Sequence, residues 1–167
     1  MATALPTNAA SFSLGEVVDA THGTLVHGNP STHLEGVSTD TRAIAPGALF
    51  VALVGERHDA HHHLAAAMAA KAGALVVQRG RGRGLGAIPV VEVDDTLAAL
   101  GALASAHTAR IRAVRPIPVV AVSGAVGKTT TKELLATAMT AAFGPTLATP
   151  GNLNNLVGAP TRLLRLP

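Results

Sequence analysis

Three short apolar runs constrain this chain most: Ala48 to Val54 (ALFVALV), Ala74 to Gln78 (ALVVQ) and Ile88 to Val93 (IPVVEV). The first is apolar throughout, as a strand buried on both faces must be. Helical stretches follow these runs. Asp59 can cap a helix through HHHLAAAMAAKAG, stopped by Gly73. Asp94 or Asp95 can cap another, whose Leu97, Leu100, Leu103 and Ala104 share one face. Strands alternating with helices imply a parallel or mixed sheet covered on both sides.

The flanks extend the pattern. Ser13-Leu14-Gly15-Glu16 matches a capping box, with a short helix to about Ala20 stopped by Gly23. Thr24 to His27 and His33 to Val37 read as short strands. Ile117 to Val122 reads as a further apolar strand. A helix follows it, with Leu134, Leu135, Ala138, Met139, Ala142 and Phe143 on one side and Gly144-Pro145 at its end. The expected fold class is α/β: a small mixed α/β domain over residues 1–94, then the truncated start of a P-loop-type parallel-sheet domain over residues 95–167. A phosphate-binding α/β domain needs several more βα units than the one found after residue 95.

Composition removes whole classes of function. The 167 residues contain no cysteine, so disulfides, thiol nucleophiles and thiolate metal sites are excluded. There is no Trp or Tyr, so base stacking on broad aromatic platforms is not available. The net charge is +3, and its most visible cluster, Arg79, Arg81 and Arg83 between glycines, reads as a solvated loop rather than a nucleic-acid patch. No apolar run approaches the ~20 residues that span a bilayer, and the first residues lack the pattern of a signal peptide. The expectation is a cytoplasmic protein that binds no nucleic acid and does not insert into a membrane.

The chemistry sits in Ala121 to Leu135, AVSGAVGKTTTKELL. A strict phosphate loop would place a glycine at position 122, where this chain has Val122. What remains is Gly124-x-x-Gly127-Lys128-Thr129-Thr130 between an expected strand and a helix. Glycines let amides turn inward, a lysine reaches the β- and γ-phosphates, and a hydroxyl suits Mg²⁺. A helix N-terminus favours the anion.

This loop, with Val122 in place of glycine, resembles that of the Mur ligase family. The stretch Thr149-Pro150-Gly151-Asn152-Leu153-Asn154-Asn155-Leu156-Val157-Gly158-Ala159-Pro160, followed by Leu163-Leu164-Arg165-Leu166, is similar to one branch of that family. That branch joins D-alanyl-D-alanine to UDP-N-acetylmuramoyl-tripeptide. The N-terminal part agrees: Val37-Ser38-Thr39-Asp40-Thr41-Arg42, Pro46 to Leu53, and Gly55 to His61 resemble the family's V-S-x-D-[ST]-R and F-V-A-L…D-G-H patterns. Here Ala60 replaces the usual glycine, and Ala125-Val126 lacks a small polar residue common inside the loop. Val93 to Leu97 with Leu100 and Gly101 resembles the family's linking helix.

The resemblance implies the N-terminal portion of a three-domain, monomeric ligase that uses ATP and Mg²⁺. An acyl phosphate forms on the substrate carboxylate, and the dipeptide amine attacks it. Carried over by position, Lys128 would neutralise the β/γ-phosphates and Thr129 would offer its hydroxyl to Mg²⁺. Gly124, Ala125, Val126, Gly127 and Thr130 would supply amides. Asn152, Asn154 and Asn155 would lie beside the γ-phosphate and the sugar-peptide. Ser38, Thr39, Asp40, Arg42, Asp59 and His61 would meet the uridine diphosphate.

Other groups carry weaker signals. His58, His61, His62 and His63 could suggest a metal, but a solvated helix start or a diphosphate contact by His61 fits better. Asp94-Asp95 reads as a cap rather than a catalytic pair. Beside the ligase stand two alternatives, another Mur branch adding an earlier residue and a non-catalytic nucleotide- or UDP-sugar-binding module.

Overall fold

The computed structural model describes residues 8, 10–55, 58–149 and 155–167. Asn152 and Asn154 therefore lie outside the described residues. Strand β1 (Ser11–Ser13) runs into helix α1 (Leu14–Thr21), which starts with the expected capping box. The Ser13 hydroxyl accepts from the Glu16 amide at 3.2 Å, and the Glu16 carboxylate accepts from the Ser13 amide at 2.6 Å. The helix stops at His22, which takes the left-handed conformation at φ 52°, one residue before Gly23.

The central sheet has five strands in the order β2-β7-β6-β5-β4. They are β2 (Thr24–His27), β4 (Val37–Ser38), β5 (Leu49–Val51), β6 (Ala74–Gln78) and β7 (Val90–Val93). Strands β4 to β7 are parallel and β2 runs antiparallel to β7. Strand β3 (His33–Glu35) pairs with β1 instead, Phe12 opposite Leu34. The expected single piece His33 to Val37 is thus split at Gly36, whose positive φ of 88° turns the chain from one sheet to the other.

The apolar runs behave as doubly buried strands because both faces are covered. Leu49, Val51, Ala74, Val76, Val91 and Val93 point into one core with Phe12, Leu14, Val17 and Leu34. Phe50, Leu75, Val77 and Val90 point into the other, under helix α2 (Leu64–Ala69). Helix α3 (Thr96–Val114) closes the first core with Ala99, Leu100, Leu103 and Ala104. Asp95 caps it, accepting from the amides of Leu97 and Ala98. Although it follows residue 94, its buried face belongs to the first sheet's core.

Beyond α3 the expectations diverge from the structure at one point. Residues 117–122 form no strand, and Val119 and Val120 are 55% and 54% exposed. A strand needs a neighbour to take its alternate amides and carbonyls, and no described strand pairs with this segment. Helix α4 (Lys128–Phe143) forms as expected and ends at Gly144, yet it buries no residue; Leu134 and Phe143 are each 68% exposed. Helix α5 (Gly158–Leu163) packs on α3, and Leu164 just beyond it is fully buried in the first core.

Candidate functional site

Because β4 to β7 are parallel, their carboxyl ends share one edge of the sheet. Ligands of open α/β sheets bind outside that edge. The chain leaves β4 into Thr39–Arg42, β5 into the segment reaching His61, β6 into the arginine–glycine loop, and β7 into Asp94-Asp95. The six residues expected to meet a uridine diphosphate, Ser38 to His61, thus come to a common edge from two segments of the chain.

The first segment is self-organised. The Asp40 backbone amide donates to the Ser38 hydroxyl, and that hydroxyl donates to the Asp40 carbonyl. Arg42 forks onto Asp40, Nε to Oδ1 at 2.8 Å and Nη2 to Oδ2 at 2.6 Å. These guanidinium bonds hold the Asp40 carboxyl below its ordinary value. The Arg42 side chain remains largely exposed.

In the second segment Asp59 caps a 3₁₀ turn over Ala60–His63. Its Oδ1 accepts from the His61 amide at 2.9 Å and from His61 Nδ1 at 2.6 Å, and its Oδ2 accepts from Arg81 Nη1 at 3.1 Å. The His61 amide first, then its ring and Arg81, hold the Asp59 carboxyl down to about 2. The His61 ring is only 3% exposed, and its Nε2 accepts from the Gln78 amide at 2.9 Å. Both ring nitrogens have partners within the protein, Nδ1 with Asp59 and Nε2 with the Gln78 amide. His58 and His63 stack on each other with centroids 5.0 Å apart.

Sequence reasoning missed the partners of the arginine–glycine loop. Arg81 reaches Asp59, Arg79 reaches Asp94 at 2.6 Å, and the Glu92 carboxylate accepts from the Gly82 amide at 2.8 Å. A Cβ on Gly82 would strike that carboxylate, so the glycine there serves close approach rather than looseness. No local signal reveals an Asp59–Arg81 pair 22 residues apart.

The glycine–lysine loop stands at the start of α4. Gly124 and Gly127 have φ of 152° and 80°, values that suit glycine. Lys128 folds back, its Nζ donating to the carbonyls of Gly124 at 2.5 Å and Ala125 at 3.3 Å. Among the described residues it has no carboxylate partner, unlike Lys132, which meets Glu133 at 2.8 Å. Thr129, Thr130, Ala125 and Val126 are exposed around it. Asn155 directs its Oδ1 to the amides of Val157 and Gly158, capping the start of α5. Beside it, Leu156, Ala159 and Pro160 face Asp95, Leu97, Ala98 and Gly101 of α3 across an open cleft of about 540 Å³.

Comparison with known proteins bears on all of these features together. No family model matches the chain. The UDP-N-acetylmuramoyl-tripeptide--D-alanyl-D-alanine ligase of Escherichia coli (strain K12) is 46% identical over 156 residues, covering 93% of this chain and 32% of that protein. The ligase of the same name from Synechocystis is 41% identical over 134 residues, 80% of this chain and 28% of that one. Among solved structures, MurF from Acinetobacter baumannii superposes with a TM-score of 0.81 at 36% identity, over 95% of this chain and 34% of that one. MurF ligase from Thermotoga maritima in complex with ADP gives 0.65 at 28% identity, over 77% and 28%. The chain spans about a third of the length of the curated relatives it matches. The sheet, the carboxyl-edge segments, the glycine–lysine loop and a likeness running along nearly its whole length place the chain in the Mur ligase family, where it corresponds to the N-terminal third of the tripeptide:D-alanyl-D-alanine ligases.

Proposed function

We propose that the chain is the N-terminal portion of an ATP-dependent ligase joining D-alanyl-D-alanine to UDP-N-acetylmuramoyl-tripeptide through an acyl phosphate, in peptidoglycan precursor synthesis. The observation that carries this is Lys128. It is an ammonium at the start of a 16-residue helix, on a glycine-shaped loop, with no carboxylate partner among the described residues. Such a cation suits a polyphosphate, and its present acceptors are two loop carbonyls that a phosphate can replace.

On this reading residues 1–94 form the unit that takes the uridine diphosphate end of the substrate at the carboxyl edge, through Ser38, Thr39, Asp40, Arg42 and Asp59. Residues 95–167 begin the ATP-binding domain. Lys128 neutralises the β/γ-phosphates, Thr129 offers its hydroxyl to Mg²⁺, and the amides of Gly124, Ala125, Val126, Gly127 and Thr130 hold the phosphate chain. Asn152, Asn154 and Asn155 flank the transferred phosphate and the sugar-peptide. Bound MgATP supplies the phosphoryl group that activates the substrate carboxylate toward the dipeptide amine. The protein's part is charge neutralisation and positioning rather than a nucleophile. We place the enzyme in the cytoplasm as a monomer, with its nucleotide substrates; no described helix is long and apolar enough to cross a membrane.

Phosphate release measured with ATP, Mg²⁺, UDP-N-acetylmuramoyl-tripeptide and D-alanyl-D-alanine tests this. The intact protein is expected to release phosphate only when the dipeptide is present; release indifferent to the dipeptide would refute the ligase reading. The 167 residues alone are expected to bind without turnover, because no Asp or Glu follows Glu133 to complete a Mg²⁺ site.

A further inference from the structure

The His61 ring is buried, yet it lies between two groups at the ligand edge. Its Nε2 accepts from a backbone amide, which puts the ring proton on Nδ1, and Nδ1 donates to Asp59 Oδ1 at 2.6 Å. The other Asp59 oxygen holds Arg81 at 3.1 Å. Arg81 in turn donates its backbone amide to the Gln78 carbonyl at 3.0 Å, at the end of β6. These contacts close a loop: Gln78, His61, Asp59, Arg81 and back to Gln78. Its anchor is a strand whose Val77 is fully buried.

Of the arginines at this edge, Arg42, Arg79 and Arg81 each meet a carboxylate, and their donors are spent differently. Arg42 places two of its guanidinium nitrogens on Asp40. Arg79 gives Nε to Asp94, whose side chain is largely exposed, and Nη1 reaches Thr24 at 3.5 Å. Arg81 gives only Nη1, to an aspartate locked by a buried ring, and its side chain is 47% exposed. Among the described residues its Nε and Nη2 have no acceptor. A guanidinium held at one corner with its remaining donors outward is preorganised for a phosphate.

We propose that Arg81 is a diphosphate-binding residue of the carboxyl-edge site, and that His61 is its positioning residue, acting through Asp59 rather than touching the ligand. The inference rests on the reading of that edge as the uridine diphosphate site. A diphosphate is the fitting chemistry because it offers adjacent anionic oxygens to a fork of N–H donors, whereas the nucleoside alone offers no charge.

Calorimetric titration of the intact protein with UDP, with uridine and with inorganic pyrophosphate tests both statements. Arg81→Ala is expected to weaken UDP about ten-fold or more, the loss of a charge-assisted contact. Uridine binding should be unchanged, and Arg81→Lys should recover part of the UDP affinity. Arg83→Ala removes the same charge from the same loop and should leave UDP binding as it is. His61→Ala and Asp59→Asn should each weaken UDP and pyrophosphate but not uridine. If His61→Ala fails to fold, Asp59→Asn and Arg81→Ala decide the matter. Unchanged UDP affinity in Arg81→Ala, or equal loss for UDP and uridine, would overturn the assignment. A folded His61→Ala protein with normal UDP affinity would overturn the positioning role. Wild-type protein that binds no UDP would instead refute the proposed function of this edge, and the inference with it.

Discussion

His107 on α3 donates from Nε2 to the backbone carbonyl of Leu166, 59 residues further along the chain, at 3.0 Å. The ring is buried, tilted against Phe12 at 6.3 Å, and its Nδ1 faces Arg110 Nη2 at 3.4 Å. Arg115, just past the end of the same helix, holds the Pro167 carbonyl at 2.8 Å, and Leu164 is buried in the first core. Helix α3 thus packs both into the first sheet's core and against the segment that follows Asn155.

His107→Ala should therefore cost roughly 1–3 kcal/mol, from a part-buried carbonyl left without its donor and the lost packing of a buried ring. Hydrogen exchange should quicken first at residues 158–166, while β5 and β6 stay protected. Unchanged exchange there would show that His107 does not hold this segment.

Two glycines should respond in opposite directions to alanine. A Cβ on Gly73 would run into the Gly47 carbonyl, which is backbone and cannot swing away. Gly73→Ala should destabilise by roughly 1–3 kcal/mol. Gly101, inside α3, has open space around it, so Gly101→Ala should stabilise by about 0.5–1 kcal/mol. Urea midpoints of the two variants check both signs.

Acid sensitivity should pass through Asp59. Its carboxyl is held at about 2 in the folded protein against an ordinary 3.8. The stability it contributes is present above 3.8 and is lost as pH falls from 3.8 through 2. Glu16, Asp40 and Glu92 are also lowered and add to the same acid loss. Asp59→Asn should lie below wild type at pH 6, with the gap closing toward pH 2.5. A gap that stays constant with pH would contradict the linkage.

Lys128→Ala should abolish turnover in the intact protein and cost about 1.5–3 kcal/mol of ATP binding. Binding of the UDP substrate should stay near wild type. The folded state should barely notice, since Lys128 bonds only to carbonyls of its own loop. Normal turnover in this variant would sink the phosphate-loop assignment.

The elements that could be read from sequence are those whose causes are local. The Ser13–Glu16 capping box joins residues three apart, and the Asp59 and Asp95 caps reach amides two or three residues on. The runs around Leu49–Val51 and Ala74–Gln78 carry their double burial in their own composition. The glycine–lysine loop at the start of α4 was likewise legible, because its two glycines, lysine and two threonines lie within seven residues.

Long-range partners were decided only by the tertiary structure. Sheet order put β2 antiparallel at the edge beside β7, and it brought Arg81 to Asp59 and the Gln78 amide to His61. The partners of the His61 ring, Asp59 on one side and the Gln78 amide on the other, include one 17 residues away that its sequence neighbourhood does not reveal. Ile117 to Val122 shows the same dependence from the other side: its apolar composition suits a strand, but no described strand lies beside it. Caps and periodicity depend on atoms a few bonds away, which the sequence by itself specifies. Pairing and burial depend on surfaces contributed by distant residues, which exist only once the chain has folded.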